Sequence, residues 1–268
     1  MGIIIGTFIF ALGAIIGSFL NVVALRYNTG RSLAGRSGCF SCGHTLGFFD
    51  LIPILSFFFS AGRCRYCGSG VSLQYPLVEA LVGLLFLGLY LKGFSLSSAV
   101  YLGVVFSLLT VILIYDIRHK IIPNPFVYAF ITFSALPLFF NFETLVFSLP
   151  PLWHLLAGPI LFAPFFFLWF ISKGRWLGLG DGKLAWGIGW LLGLSSGGVA
   201  LLIAVWAGAG VGMLFFIGQH LLSRGEKRLT MKSEVPFAPF MIFGALAVLF
   251  SGIDYPMLIQ MLIQLFSL

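Results

Sequence analysis

Eight apolar stretches follow one another along this chain, and most of them are long enough to cross a lipid bilayer as a helix. A membrane-spanning helix needs roughly 20 apolar residues. The stretches lie at residues 3–25, 76–91, 95–115, 121–140, 151–172, 184–194, 198–222 and 236–252. Charged residues make up only 9% of the chain, whereas soluble domains carry about 25%. The sequence therefore predicts an all-α polytopic membrane protein with about eight transmembrane helices.

Three details qualify this division into spans. The stretch 184–194 reaches span length only if its helix begins near Gly182 or continues into the serines that follow it. The last apolar piece, Met257–Leu268, is too short to cross a bilayer and is predicted to be interfacial or half-inserted. The N-terminus has no basic segment, and its apolar stretch continues to Leu25. We therefore expect a first span there rather than a cleavable signal peptide.

Basic residues are distributed unevenly between the two sides that eight spans define. Of the 15 lysines and arginines, all but Lys92 fall on one side. Lys and Arg next to spans face the cytoplasm, so that side is predicted to be cytoplasmic and both termini external. The net charge of +7 is thereby attributed to membrane orientation, and no nucleic-acid partner is predicted.

All four cysteines lie in the one large cytoplasmic loop, residues 26–74. They form two C-x-x-C pairs, Cys39 with Cys42 and Cys64 with Cys67, separated by 21 residues. A glycine follows each pair and lets backbone N–H groups turn toward sulfur. Such pairs are typical of a structural zinc site with four thiolate ligands, and the reducing cytoplasm favours metal over disulfide. Two redox dithiols or four unrelated cysteines are the alternatives.

Two aspartates stand at the predicted cytoplasmic ends of apolar spans. Asp116 follows one span, and Asp181 lies in a glycine-rich segment with Gly178 and Gly180. Ionisable groups at membrane depth are costly and are candidates for function. Two carboxyl groups in contact share a proton, so one can take a proton from water while the other polarises a peptide carbonyl. The alternative is that each aspartate is an interfacial residue beside Lys or Arg.

Further motifs occur in order along nearly the whole chain. They are Gly17–Val23 with Arg26, Asp50–Pro53, Gly62–Gly68, Tyr75–Glu79, Asp116 with Ile122-Pro123, Gly178–Lys183 and Pro236–Phe240. Together with the cysteine loop they resemble the prepilin peptidases, the type IV leader peptidase family of bacterial pilus and type II secretion systems. Two positions depart from the family pattern: Phe40 replaces the usual Pro, and Asn124 replaces the common Asp. The first leaves the zinc ligands intact, and the second removes a charge near Asp116.

The resemblance implies what the two aspartates do. The family cleaves the short basic leader of type IV prepilins or pseudopilins after a glycine, at the cytoplasmic edge of the substrate's apolar helix. Asp116 and Asp181 match its catalytic aspartates. The residues expected to support the two catalytic segments are Gly178, Gly180, Lys183 and Pro123. The chain is accordingly expected in the bacterial cytoplasmic membrane, in contact with lipid.

The resemblance also implies a second activity, methyl transfer from S-adenosylmethionine to the new N-terminal amine. The family associates this activity with the N-terminal span and the zinc loop. Glu79, near the start of a span, is the candidate that holds or deprotonates the amine. Its alternative role is that of a carboxylate favoured by the helix macrodipole. Arg63 and Arg65 are either topology signals or contacts to lipid headgroups.

The motifs divide the chain into three predicted parts: a first transmembrane helix at 1–25, the four-Cys loop at 26–74 and a protease bundle at 75–268. Three other functions use the same aspartates: a presenilin-like protease of other substrates, a proton-coupled transporter and a non-catalytic membrane scaffold. The four-Cys loop argues against the first. The boundary positions of both aspartates and the lack of an apparent repeat argue against the second.

Overall fold

The computed structural model describes residues 2–142, 144, 146–222, 236–258 and 260. We also expect a solvated cytoplasmic turn of mixed charge at 224–234 from the sequence; this turn and most of the expected terminal piece 257–268 lie outside the described residues. The chain divides into two compact units, Met1–Ile114 and Tyr115–Leu268. The three-part division predicted from the sequence, with its boundary at residue 75, stays a prediction.

The first unit consists of long helices joined by the cysteine loop. Its helices are α1 (Gly2–Arg26), α2 (Leu55–Phe59), α3 (Gln74–Leu91) and most of α4 (Leu96–His119), with a 3₁₀ helix at Phe48–Leu51. The 3₁₀ helix and α2 lie inside the cysteine loop, where the sequence indicated no regular structure. The last turn of α4 carries Asp116 into the second unit.

Helices α1 and α3 pack closely because glycines face the contact. A Cβ atom on Gly13 would lie 2.8 Å from the carbonyl oxygen of Val82, and one on Gly17 would lie 3.0 Å from the Cα of Glu79. Such distances leave no room for a side chain. Small residues at a contact let helix backbones approach in lipid, where van der Waals packing replaces the hydrophobic effect. This contact fixes Glu79 beside the middle of α1.

The second unit begins with the end of α4 and continues through four more helices. These are α5 (Asn124–Phe139), α6 (Leu152–Ser172), α7 (Leu179–Leu222) and α8 (Ala238–Ser251). A two-residue antiparallel pair, β1 (Phe140–Asn141) with β2 (Val146–Phe147), joins α5 to α6. The pair was not expected from a sequence read as all-α. It is a short connection between two helices and leaves the helical architecture unchanged.

Helix α7 is interrupted at Gly193. Its backbone angles there are φ 80° and ψ 176°, a conformation open essentially to glycine alone. The interruption falls one residue before the end of the first of the two apolar stretches, 184–194 and 198–222, that the sequence separated. The first piece starts at Leu179, five residues before the apolar stretch 184–194. This is one of the two extensions that the stretch needs to reach the length of a span.

Within the described residues, five helices are long and apolar enough to cross a membrane. They are Gly2–Arg26, Gln74–Leu91, Leu96–His119, Leu152–Ser172 and Leu179–Leu214. Asn124–Phe139 and Ala238–Ser251 are shorter apolar helices. These helices make the chain a mostly helical protein with several candidate membrane spans. The expected number of eight transmembrane helices stays a prediction.

Candidate active site and metal centre

Asp116 lies on the last turn of α4 and is buried, with only 4% of its surface exposed. The helix ends three residues later, because Lys120 adopts a left-handed conformation with φ 55°. One carboxylate oxygen of Asp116, Oδ2, accepts a hydrogen bond of 3.2 Å from the backbone N–H of Ala238, the first residue of α8. The amides of a helix N-terminus have no partner within their own helix, so α8 supplies a fixed donor to this carboxylate.

Asp181 lies in the first turn of α7 and is half-buried. Its backbone N–H donates to the carbonyl of Gly178 at 3.2 Å, which shapes the start of the helix. The charge of Asp116 acts on Asp181, so the two carboxyl groups are close enough to interact electrostatically. Both belong to the second unit. The structure therefore brings together two aspartates that are 65 positions apart in the sequence.

Gly180 allows the two aspartate segments to meet. A Cβ atom on Gly180 would lie 2.9 Å from the Cβ of Ile122, closer than real Cβ atoms come. Ile122 is buried and precedes Pro123, whose extended backbone leads into α5. A residue before proline is disfavoured in a helix, which explains why α5 starts at Asn124 and not at 121. The buried Ile122-Pro123 pair thus packs directly under the Asp181 segment.

Lys183 joins the same two segments by a polar contact. Its Nζ donates a hydrogen bond of 2.7 Å to the side-chain oxygen of Asn124 and lies 4.6 Å from the centre of the Tyr128 ring. Asn124 is the position where the sequence departs from the family's usual aspartate. The asparagine still accepts the lysine hydrogen bond, but it leaves the lysine charge without an opposite charge at this contact.

Ala238 is a site residue that the sequence did not reveal. The sequence singled out Pro236–Phe240 only as a motif, and the structure shows that its backbone faces Asp116. Pro239 stands in the first turn of α8, a position typical of a helix N-terminus. That signal could have predicted free amides at this point of the chain. Which side chain they meet follows only from the packing of α8.

The four cysteines form one cluster, as their spacing predicted. Their sulfur atoms all lie within 4.8 Å of one another, and the Sγ atoms of Cys39 and Cys67 are 3.8 Å apart. Four sulfurs at about 2.3 Å from a tetrahedral zinc ion stand about 3.8 Å apart. The donor set and its spacing therefore fit a zinc ion.

Each cysteine pair sits in a knuckle of the same geometry. The N–H of Gly43 donates to the carbonyl of Cys39, and the N–H of Gly68 donates to that of Cys64, each at 2.9 Å. Both glycines have positive φ, at 72° and 73°, which glycine adopts without strain. Both glycines thus close a turn whose amide meets a carbonyl; the expectation that backbone N–H groups turn toward sulfur stays a prediction.

Backbone and hydroxyl donors reach the sulfur atoms. Hydrogen bonding by the backbone of Cys42 and by Ser69 lowers the pKa of the Cys39 thiol to about 5. Hydrogen bonding by Ser69 also lowers the pKa of Cys67. A hydrogen bond from the backbone of His44 also lowers the pKa of the Cys42 thiol. Burial and the neighbouring sulfurs outweigh it and raise the pKa of Cys42 to about 11. Two thiols are thus favoured as thiolates, the form that binds metal.

Asp50 connects the second knuckle to the 3₁₀ helix. Its carboxylate accepts a hydrogen bond from the Tyr66 hydroxyl and forms an ion pair with Arg65, each at 3.3 Å. It also accepts from the N–H of Gly47 at 3.1 Å. The negative charge of Asp50 raises the pKa of Tyr66. The Asp50–Pro53 motif therefore starts with a residue that holds the cysteine loop together.

Glu79 is buried in the first unit, with 6% of its surface exposed. Its Oε2 accepts a hydrogen bond of 2.7 Å from the backbone N–H of Ile54, and Ser18 of α1 bonds the same carboxyl group. Asn21, fully buried nearby on α1, accepts from Gln74 at 3.1 Å. Glu79 thus lies in a polar cluster between α1, α3 and the loop, which the sequence did not indicate.

Comparison with known families matches two models to this chain. The model described as the bacterial peptidase A24 N-terminal domain matches residues 11–93, and that of the type IV leader peptidase family matches residues 103–213. The first covers both cysteine pairs and Glu79, and the second covers both aspartates.

Several curated proteins are similar to the chain over most of its length. A prepilin leader peptidase/N-methyltransferase of Bacillus subtilis (strain 168) is 33% identical over 91% of this chain and 93% of its own. A protein of the same name from Klebsiella pneumoniae is 32% identical over 74% of this chain and 90% of its own length. Another, from Dickeya chrysanthemi, is 31% identical over 88% of this chain and 89% of its own length. No solved structure matches the chain.

Proposed function

Because this chain belongs to the type IV leader peptidase family, we propose that it removes the short basic leader from type IV prepilins or pseudopilins. Asp116 and Asp181 are the proposed catalytic residues. The observation that carries the proposal is that the segments of two aspartates from distant motifs, one of them buried, pack against each other within one unit, where Gly180 meets Ile122. The family membership is shown by relatives that match over nearly the whole chain.

The proposed chemistry is aspartic proteolysis. Two neighbouring carboxyl groups that share one proton can act as base and acid together. The ionised carboxylate takes a proton from a water molecule, which attacks the scissile carbonyl carbon, while the protonated carboxyl group donates a hydrogen bond to the carbonyl oxygen. The tetrahedral intermediate then collapses, the C–N bond breaks, and the proton taken from water passes to the leaving amine. Such a pair titrates as a unit. We therefore assign the roles of base and acid to the two aspartates jointly and to neither one alone. The Ala238 amide holds the Asp116 carboxylate in place.

The remaining predicted support residues position the pair. Gly180 and Ile122-Pro123 set the distance between the two segments, and Lys183 ties Asn124 to the start of α7. Gly178 accepts the N–H of Asp181. Placing catalytic groups correctly can account for several orders of magnitude in rate, so we expect these residues to act on the turnover rate.

A second proposed activity is methylation of the new N-terminal amine. S-adenosylmethionine supplies the methyl group. Glu79 fits a cationic partner, because it is a buried carboxylate whose hydrogen bonds come from two neutral donors, the Ile54 amide and Ser18. We propose that Glu79 holds the amine or accepts its proton. The names of the relatives, which include N-methyltransferase, support this activity.

Zinc is proposed as the metal of the cysteine cluster, with Cys39, Cys42, Cys64 and Cys67 as its ligands. Four protein ligands leave no open position, so the ion would fold the loop and take no part in catalysis. We further propose that the chain resides in the bacterial cytoplasmic membrane, with the cysteine loop and both aspartates on the cytoplasmic side. The strong bias of Lys and Arg to one side supports this orientation.

A cleavage assay with intact-mass detection tests both activities. The purified chain is mixed with a prepilin that carries a Gly-Phe junction, with and without S-adenosylmethionine. We expect loss of the leader in both cases, and a further mass gain of one CH₂ group with the methyl donor. The variant Glu79→Gln is expected to lose the mass gain and keep cleavage. Cleavage without any mass gain by the wild type would contradict the methyltransferase proposal alone.

A further inference from the structure

The segment Phe48–Phe59 of the cysteine loop exposes an unusual number of large apolar side chains. Neither the 3₁₀ helix nor α2 has a buried residue. The exposed fractions reach 79% for Phe48, 70% for Phe58 and 79% for Phe59. Exposed apolar side chains on a membrane-spanning helix face lipid, but this segment is too short to span. A contiguous apolar patch outside the spans marks an interaction site.

Two contacts fix the position of this segment. Ile54, at its centre, donates its N–H to Glu79 at 2.7 Å. Glu79 lies five residues after Gln74, the first residue of α3, which is about 7.5 Å along the helix axis. The Ile54 turn therefore lies at the level of the first turns of a candidate span, not above its end. Asp50, at the other end, is held by Arg65 of the second knuckle.

The turn at Ile54 is strained, and it sets the angle between the 3₁₀ helix before it and α2 after it. Ile54 has φ 64° and ψ −54°, and the N–H of Leu55 donates to the carbonyl of Pro53 at 2.6 Å. This is the rare γ-turn form, and a positive φ is exceptional for a β-branched residue. Such strain persists only where surrounding contacts maintain it, and the Glu79 hydrogen bond is such a contact.

The aromatic side chains divide between the two faces of α2. Phe57 packs inward, since a Cβ atom on Gly62 would lie 2.9 Å from its ring. Phe58 and Phe59 point away from the loop and are exposed. Of the three phenylalanines of α2, Phe57 therefore packs against the loop, whereas Phe58 and Phe59 face outward. Their exposure is a property of the folded segment and of its fixed position beside α3.

The charges of the loop suit an anionic surface. Between Arg26 and Leu73 the sequence holds five arginines and one acidic residue, Asp50. Asp50 is paired with Arg65, whereas Arg63 is exposed. Aromatic side chains flanked by arginines are typical of segments that lie in the membrane interface, with the apolar face about 5–10 Å deep in the headgroup region. Both ends of the loop continue into candidate spans, so the loop is always next to the membrane surface.

We propose that Phe48–Phe59 is a membrane-interface segment, inserted among the headgroups of an anionic bilayer with Phe48, Phe49, Phe58 and Phe59 toward the acyl chains. The occupant of this surface is lipid, not a second protein. The segment anchors the cysteine loop to the membrane beside the start of α3. This property is independent of the peptidase and methyltransferase activities, and it holds whether or not those proposals do.

Fluorine NMR of single labelled positions tests the insertion. The full zinc-loaded chain carries 4-trifluoromethylphenylalanine at position 58, in nanodiscs of phosphatidylcholine and phosphatidylglycerol. Line broadening is compared between a lipid nitroxide near the top of the acyl chain and a soluble gadolinium chelate. The matched control is position 40, because Phe40 is a similarly exposed phenylalanine of the same loop, at 62%, located in the first knuckle. Both positions are exposed, so the added trifluoromethyl group has room and folding is preserved.

We expect the lipid nitroxide to broaden the signal at position 58 severalfold more than the gadolinium chelate does, and the reverse at position 40. Removal of phosphatidylglycerol should weaken the lipid effect at position 58. Equal behaviour of the two positions, with both reached by gadolinium, would overturn the proposal. Protection of position 58 from both reagents would also overturn it, because a protein would then cover the segment.

Discussion

At Gly180 the two aspartate segments touch, and no side chain fits between them. The change Gly180→Ala places a Cβ atom 2.9 Å from the Cβ of Ile122, so one segment must shift. A displacement of about 1 Å at a catalytic group can cost on the order of 100-fold in rate. We expect a loss of that size in the rate of leader cleavage, with the protein still folded.

The control for this change is Gly210→Ala in the same helix. A Cβ atom on Gly210 would meet nothing within 4 Å, so cleavage should stay near the wild-type rate. Equal rates for the two variants would show that the close contact at Gly180 does not set the geometry of the site.

Asn124 and Lys183 form the second link between the segments. The bond has a charged donor but is exposed to solvent, so Asn124→Ala should lower the free energy of unfolding by about 1 kcal/mol. Asn124→Asp converts the contact to an exposed ion pair, which is worth at most about 1 kcal/mol, and should be tolerated. A double-mutant cycle of Asn124→Ala with Lys183→Met measures the coupling. A coupling energy of zero would contradict the link.

The sequence could predict those features of the site that depend only on the spacing of residues close together in the chain. The cysteine cluster follows from two C-x-x-C pairs, and a glycine with positive φ follows each pair. The partners of Asp116 and Glu79 could not be predicted. Their donors, the amides of Ala238 and Ile54, are backbone groups. Every residue except proline has such a group, so its pairing follows only from tertiary packing.

Among the helices, α7 depends most on a single residue. Gly193 adopts φ 80° and ψ 176°, and residues other than glycine are strained there by about 1–3 kcal/mol. We expect Gly193→Ala to lower the thermal unfolding temperature in detergent. The matched change is Gly198→Ala, five residues on, where a Cβ atom meets nothing within 4 Å. A variant Gly193→Ala as stable as Gly198→Ala would argue against the interruption.

The cysteine loop is the element that we propose depends on metal for its fold. Purified protein should contain about one zinc ion per chain. Chelation, or the change Cys64→Ser, should make the loop between Arg26 and Gln74 sensitive to limited proteolysis, while the long helices keep their circular dichroism signal. Ser41→Ala, between two ligands, should retain both zinc and protease resistance. A metal-free wild type with a resistant loop would contradict the zinc assignment.

The positions of the long helices were predictable because each is a continuous apolar stretch. Helix α6, at Leu152–Ser172, matches the predicted 151–172 almost residue for residue. Helix α5 starts later than predicted because Pro123 ends the extended segment before it. The 3₁₀ helix and α2 were missed because five or fewer residues give too little periodicity to distinguish a helix from a loop.

At the scale of the whole molecule, the sequence led to the family through the order of its motifs. No single motif was specific, but their combined order was, and relatives 31–33% identical over most of the chain confirm the family. The number of spans was harder to predict, because a stretch such as 236–252 yields a helix of only 14 residues, Ala238–Ser251. Apolar length alone does not decide whether such a helix crosses the bilayer.

If Asp116 and Asp181 together cleave the leader, a single isosteric change at either aspartate should abolish cleavage. Initial cleavage rates are compared for the wild type, Asp116→Asn, Asp181→Asn and the control Asp254→Asn, each checked for helix content and zinc. Acid and base groups contribute about 10²–10⁴-fold to a rate. Each catalytic variant should therefore lose at least about 100-fold, while Asp254→Asn stays near the wild type. Cleavage near the wild-type rate by either catalytic variant would contradict the account.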